Sequence, residues 1–226
     1  MILLAKDQNG MAALRGANAL VTQMSSDTNA PRYDMATLAV TVWPNNHVSH
    51  YGENHAEIEL YDADSQKIGT ASSAPFAYCG FYLMEKYVAR VELPVTAPKL
   101  WTAEMPYLYT VVVKLVAPDG SVLDIESSRV GFREGRISKD GVLLLNGKRL
   151  VIRGVNRHDF CPETGRFVSE AHMREEIAVM KRLNFNAVRT CHYPNNTKWY
   201  DLCDELGIYL VDESNVETHG IGGQLS

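Results

Sequence analysis

The sequence predicts a chain of two unlike parts: a β-sandwich over residues 1–132, ordered from about residue 20, and an α/β part over residues 133–226. Three observations predict this. Before Arg133 the apolar residues recur with the two-residue period of a strand. After it, strand-like and helix-like stretches alternate. Each strand-like stretch of that alternation ends in a cluster of His, carboxylate and amide side chains.

In the first part, Thr37–Trp43 is rich in β-branched and apolar residues and closes at the turn cluster Pro44-Asn45-Asn46. Ala56–Asp62 alternates polar with apolar residues, as a half-buried strand does. Tyr87–Leu93 repeats the pattern, and Pro94 marks its end. Tyr109–Val116 and Val122–Arg129 flank Pro118-Asp119-Gly120, whose Asp-Gly suits a hairpin. Short punctuated strands without a helical stripe indicate a sandwich of roughly 100 residues, immunoglobulin-like in strand count.

In the second part, Val142–Leu145 and Arg149–Ile152 flank Asn146-Gly147, a hairpin signal, and the second arm continues into Arg153-Gly154-Val155-Asn156. Ser169 caps a helix whose Met173, Ile177, Met180 and Leu183 form an apolar stripe. Asn186–Arg189 is a second strand. Trp199, Leu202, Cys203 and Leu206 make a second stripe, which ends at the C-cap glycine Gly207. Ile208–Val211 is a third strand, apolar enough to be buried on both faces. A doubly wound sheet and a (β/α)8 barrel both fit this order. A complete barrel takes about 250 residues, so three strands are the most that could be present.

Composition narrows the function classes. The 22 Lys and Arg against 27 Asp and Glu leave a net charge of −5, which argues against a nucleic-acid partner. Met1–Ala5 is too short for the apolar core of a signal peptide, and no stretch approaches a membrane span, so the expected location is cytoplasmic. The four cysteines lack a Cys-x-x-Cys spacing and are expected to be buried thiols. His47, His50 and His55 lie in a loop-like stretch and are expected to face solvent.

The chemistry gathers where ligands bind in α/β folds, at the C-terminal ends of the strands. There stand Asn156-Arg157-His158-Asp159, then Arg189-Thr190-Cys191-His192-Tyr193-Pro194-Asn195, then Asp212 to Gly220. Either arginine can instead serve as a structural ion-pair partner. Tyr193-Pro194 can simply end its strand. Glu217 and His219, two residues apart, point to one side of an extended segment and could share a cation or form a surface pair.

Several motifs in order resemble glycoside hydrolase family 2. Val130-Gly131-Phe132-Arg133-Glu134, Leu145-Asn146-Gly147-Lys148 and Arg153 to His158 are similar to the entrance of that family's TIM barrel. Asn184 to Asn195 resembles its signature segment, and Leu100 to Tyr109 its sandwich domain. Asp212 to Gly220 resembles the β-galactosidases within it rather than the β-glucuronidases. The sequence departs from the pattern at Asp159-Phe160-Cys161, where the family resemblance leads one to expect Glu and a further His.

The resemblance implies an immunoglobulin-like sandwich followed by the first three βα units of a truncated TIM (β/α)8 barrel. It implies retaining hydrolysis of terminal β-galactosides, with His158, His192 and Asn215 binding substrate and Glu217 and His219 holding Mg2+. The acid/base and nucleophile carboxylates are expected beyond Ser226, leaving the isolated chain inactive. Other family 2 glycosidases and a non-catalytic binding module are the alternatives. Open sheet edges in a three-strand remnant predict self-association.

Overall fold

The computed structural model describes residues 2–3, 13–22, 33–45, 53–79 and 86–216. The chain divides into two compact units. The first comprises Met1–Leu100, Tyr107–Arg136 and Leu144–Lys148; the second comprises Trp101–Pro106, Ile137–Leu143 and Arg149–Ser226.

The first unit is a two-sheet sandwich. Its strands run β1 (Ile2–Leu3), β2 (Ala13–Thr22), β3 (Met35–Asn45), β4 (His55–Tyr61), β5 (Lys67–Ser72), β6 (Ala77–Cys79), β7 (Lys86–Thr96), β8 (Tyr109–Val116) and β9 (Val122–Val130). One sheet has the order β1-β2-β3-β7-β6 and the other β5-β4-β8-β9, all pairs being antiparallel. Every second residue points inward, as the pleat requires. β3 buries Leu38, Val40 and Val42, β7 buries Val91 and Leu93, β4 buries Ile58 and Leu60, and β8 buries Val111, Val113 and Leu115. Each large aliphatic side chain so removed from water contributes about 1.5–3 kcal/mol.

The strands expected from alternation are present, and three differences have physical reasons. Ordered structure includes β2, which begins at Ala13 and pairs along β3, earlier than the expected start. Pro94 does not end its strand: it lies within β7 opposite Thr37 of β3, and among the described residues β6 pairs only with Lys86–Val88, so that part of β7 is an edge, where a proline is tolerated. His55 lies in β4, its Nε2 3.3 Å from Glu57, and not in a loop. His47 and His50 lie outside the described residues.

Glu59, on the outer face of β4, accepts from Lys67 Nζ at 2.7 Å and from Tyr61 Oη at 2.9 Å, and Lys114 Nζ lies 3.0 Å away. Its hydrogen bonds to Lys67 and Lys114 hold the carboxyl down at about 2. A depressed carboxyl contributes stability above its ordinary value of 4.5, and that contribution fades as pH falls towards about 2. Glu59→Gln is therefore expected to flatten the acid side of the sandwich's urea midpoint against pH. An unchanged slope in that interval would assign the acid sensitivity to other groups.

A small sheet follows along the chain, formed by β10 (Gly135–Ile137), β11 (Leu143–Leu145) and β12 (Lys148–Arg149). Asn146 and Gly147 have φ of 48° and 73°, the left-handed pair that an Asn-Gly hairpin turn uses.

The second unit carries β13 (Gly154–Arg157), α1 (Glu170–Arg182), β14 (Ala187–Thr190), α2 (Thr197–Leu206) and β15 (Tyr209–Val211). The strands are parallel in the order β13-β14-β15. Ser169 caps α1, its side chain accepting from the His172 amide at 3.2 Å. Asn196 caps α2 through Lys198 N at 2.9 Å. Met173, Ile177 and Met180 of α1 and Trp199, Leu202 and Cys203 of α2 share one core with Val188 and Ile208.

Two apolar residues depart from expectation. Leu183 is the C-cap of α1 and is exposed, because it lies one residue past Arg182, where the helix ends. β15 is not buried on both faces: Leu210 packs on the helix core, while Val211, on the opposite face, is 46% exposed. Among the described residues no helix is long and apolar enough to cross a membrane.

The stretch Trp101–Pro106, which the sequence leaves within residues 1–132, belongs to this second unit. Trp101 is fully buried, donates Nε1–H to the Asp204 carbonyl at 2.8 Å, and meets Tyr209 edge-on with ring centroids 5.6 Å apart. Lys181 Nζ bridges the Ala103 and Gly207 carbonyls at 2.7 and 2.9 Å.

Candidate functional site

Alternation along the three parallel strands sorts the polar residues at their C-terminal ends into two sets. Arg157, Thr190 and Asp212 point towards the helices. Asn156, His158, Arg189, His192 and Glu213 gather on the opposite face.

The helix-side set is a structural network. Arg157 is buried, and its Nε and Nη2 donate to Glu176 Oε2 at 3.1 and 2.9 Å. Nη1 donates to Asp159 Oδ1 at 2.9 Å and to Asn195 Oδ1 at 2.6 Å. The guanidinium carbon stands 3.8 Å from the centroid of the Trp199 ring. Asp159 Oδ2 accepts from the Asn196 amide at 3.1 Å. On the neighbouring strand ends, Thr190 Oγ1 and Tyr200 Oη both donate to Asp212 Oδ1 at 2.8 Å. Burial, and then the bond to Asp212, push the Tyr200 hydroxyl up to about 12. Burial also pushes the Cys203 thiol up to about 12, which keeps it protonated and inert.

The opposite set forms the candidate site. The His158 and His192 rings meet edge-to-face, centroids 5.6 Å apart. Tyr193 Oη lies 3.4 Å from His158 Nδ1. Arg189 donates Nε–H to Glu213 Oε1 at 2.7 Å, and its Nη1 reaches Asn156 Oδ1 at 3.4 Å. His192 Nδ1 stands 3.4 Å from Arg189 Nη2 and 3.5 Å from Glu213 Oε2. Guanidinium nitrogens only donate, so Nδ1 accepts towards Arg189 when unprotonated and donates towards Glu213 when protonated. Arg189, His192, Asp212, Glu213, Ser214 and Val216 line an open cleft of about 350 Å³.

The structure thus brings His158 and His192 together. Asn215 is exposed; its neighbours Ser214 and Val216 line the cleft. Glu217 and His219 lie outside the described residues, and among the described residues no three His, Cys, Asp or Glu side chains form a group that could hold a metal. Of the two arginines left open by the sequence, Arg157 is structural and Arg189 faces the cleft. Tyr193 and Glu213 are site residues that strand-end counting does not single out. The signal that finds Glu213 is its even spacing from Val211, which shares the open face of β15. At the departure from the expected pattern, Asp159 joins the Arg157 network. Cys161 and Gly165 exchange backbone hydrogen bonds of 2.8 and 2.7 Å that close a short turn.

Residues 21–133 match a sequence model described as glycosyl hydrolases family 2, and residues 137–226 match that family's TIM barrel domain. The β-galactosidase of Vibrio cholerae is 55% identical over 128 residues, which are 57% of this chain and 12% of the relative. The β-galactosidase of Halalkalibacterium halodurans is 44% identical over 162 residues, covering 72% of this chain and 15% of the relative. Among solved structures, a family 2 member from Bacteroides cellulosilyticus superposes with a TM-score of 0.77 at 25% identity, covering 91% of this chain and 25% of that one. A Bifidobacterium dentium β-glucuronidase gives 0.77 at 23% identity over 90% and 31%, a likeness of fold. The two units are that family's sandwich domain and the opening strands of its TIM barrel domain, and the chain belongs to glycosyl hydrolases family 2.

Proposed function

We propose that this chain forms the sugar-orienting side of a β-galactosidase active site. The observation that carries this reading is the convergence of His158, His192, Arg189 and Glu213 on one face of the strand ends. Imidazole nitrogens at that rim suit hydroxyl groups of a sugar, since each ring can donate at one nitrogen and accept at the other. The β-galactosidase relatives, at 44–55% identity over the matched segments, favour a galactoside over a glucuronide.

Retaining hydrolysis needs two carboxyl groups about 5–5.5 Å apart, one as acid/base and one as nucleophile. Among the described residues Asp159 is tied to Arg157 on the helix side, Asp212 borders the cleft with its Oδ1 held by Thr190 and Tyr200, and Glu213 is paired with Arg189. On this reading the chain orients the sugar, and the two carboxylates that cleave the bond come from other parts of the protein. Mg2+ is proposed as cofactor of the full-length protein, with Glu217 and His219 as two of its ligands and the remaining oxygen ligands supplied by water and other parts of the protein. The buried free thiols Cys161, Cys191 and Cys203 agree with a reducing, cytoplasmic setting.

The test is hydrolysis of nitrophenyl β-galactoside against nitrophenyl β-glucuronide by the full-length protein that carries these residues. The galactoside is the expected substrate, and His158→Phe or His192→Phe is expected to raise KM by roughly threefold to tenfold through one lost hydrogen bond. Preference for the glucuronide would overturn the reading.

Self-association is proposed for the chain on its own. β13 and β15 are edge strands, and Val151, Ile152 and Val211 beside them are exposed. Sedimentation velocity across a hundredfold concentration range is expected to show dimers or larger species. A monomer throughout would refute it.

A further inference from the structure

We propose that Arg157, on the helix side of the strand ends, is a positioning residue for the histidine pair on the opposite side, acting through Asn195 and Tyr193. The inference rests on the sugar-site reading of His158 and His192.

The connections form a closed ring. Arg157 Nη1 donates to Asn195 Oδ1 at 2.6 Å. Asn195 Nδ2 donates to the Tyr193 carbonyl at 3.3 Å. The Tyr193 hydroxyl lies 3.4 Å from His158 Nδ1, and His158 is bonded to Arg157 through the backbone. The loop that carries His192 and Tyr193 is also fastened at both of its ends, to the last residue of β13 and to Asp159 just beyond it. The Cys191 amide donates to the Arg157 carbonyl at 3.0 Å, and the Asn196 amide donates to Asp159 Oδ2 at 3.1 Å. Arg166 lies over the Tyr193 ring, 4.8 Å from its centroid, opposing free rotation of that side chain.

Arg157 suits this task because a guanidinium presents its donors in a fixed planar fork. One arm holds Glu176 on α1, and the other divides between Asp159 and Asn195. With Trp199 under its face, the group is located on three sides. A lysine ammonium supplies charge but lacks that fork, so it cannot hold Glu176, Asp159 and Asn195 in the same geometry. The fork transmits the placement of α1 to the 191–196 loop, and the loop aims His192 at His158.

The experiment uses the 226-residue chain and reads ring-proton NOEs between His158, His192 and Tyr193, beside thermal unfolding. Asn195→Asp keeps the acceptor that Arg157 uses and removes the donor to the Tyr193 carbonyl. It is expected to leave the unfolding temperature within a few degrees and to at least halve the Tyr193–His158 cross-peaks. Arg157→Lys is expected to do the same to both histidine contacts. Wild-type NOE intensities in a folded Asn195→Asp chain would overturn the proposal, whether or not Arg157→Lys folds. In the full-length protein the Asn195→Asp change is expected to raise KM for nitrophenyl β-galactoside several-fold with little change in kcat. If the unmodified protein fails to hydrolyse that substrate, the galactoside reading falls, and the ring contacts still decide the positioning role.

Discussion

Gly207→Ala is expected to lower the stability of the α/β unit by about 2–4 kcal/mol, the sum of a left-handed backbone strain and a forced displacement. Gly207 ends α2 with φ of 77°, and its amide donates to the Cys203 carbonyl at 3.0 Å. A Cβ there would stand 2.2 Å from the Ala103 carbonyl oxygen, a backbone atom that cannot rotate away. Ala103 is held in turn, since its carbonyl accepts from Lys181 and its amide donates to the Tyr209 hydroxyl at 3.2 Å. Relief of the clash must therefore disturb Trp101 and its bond to Asp204 as well. Urea unfolding followed by tryptophan fluorescence measures the loss. Gly207→Asn separates the two causes, because Asn tolerates the left-handed region but still carries a Cβ. Equal losses for Ala and Asn identify the clash, and a near-parental Asn variant identifies backbone strain.

Arg157→Ala is expected to cost about 3–5 kcal/mol, the range for removing one partner of a buried ion pair. The loss has two parts. Glu176 and Asp159 keep their charges without the cation that both face, and the fully buried Trp199 loses the guanidinium packed on its ring. The surrounding carboxylates give a check on cause. Adding Glu176→Gln to Arg157→Ala removes one stranded charge, so the double variant is expected to recover part of the stability lost by the single one. Purely additive losses would mean that packing on Trp199, and not charge, dominates.

Much of this fold is legible in the sequence because its signals are local. The alternation of β3, β4 and β8, the Asn-Gly turn, the Ser169 cap and the glycine after Leu206 each specify a backbone state within a few residues. β5 and β6 were not legible. β5 is largely exposed with Gly69 inside it, and β6 is three residues long, so neither carries an alternating apolar set. The place of Trp101–Pro106 was hidden for a different reason. Its partners Lys181, Asp204 and Gly207 are distant in sequence, and an isolated Trp in a loop announces no address.

Position alone showed that the strand ends gather His, carboxylate and amide groups, while the choice of His158 and His192 within those clusters came from the family resemblance. What the sequence concealed was the division of labour between neighbours. Arg157 and His158 are adjacent and both polar, yet one is buried against α1 and α2 and the other faces its partner histidine. The period-two rule separates them once the strand register is known, and the register depends on which residues pair, Asn156 with Arg189 and Arg189 with Val211.

The most direct test of the central claim, that this chain orients the sugar but does not cleave the bond, is an assay of the chain itself. Hydrolysis of nitrophenyl β-galactoside with Mg2+ is measured for the 226-residue chain and for its Glu217→Gln variant. The account predicts turnover from neither. Turnover by the chain, lost in Glu217→Gln, would place a catalytic carboxylate among these residues and contradict it.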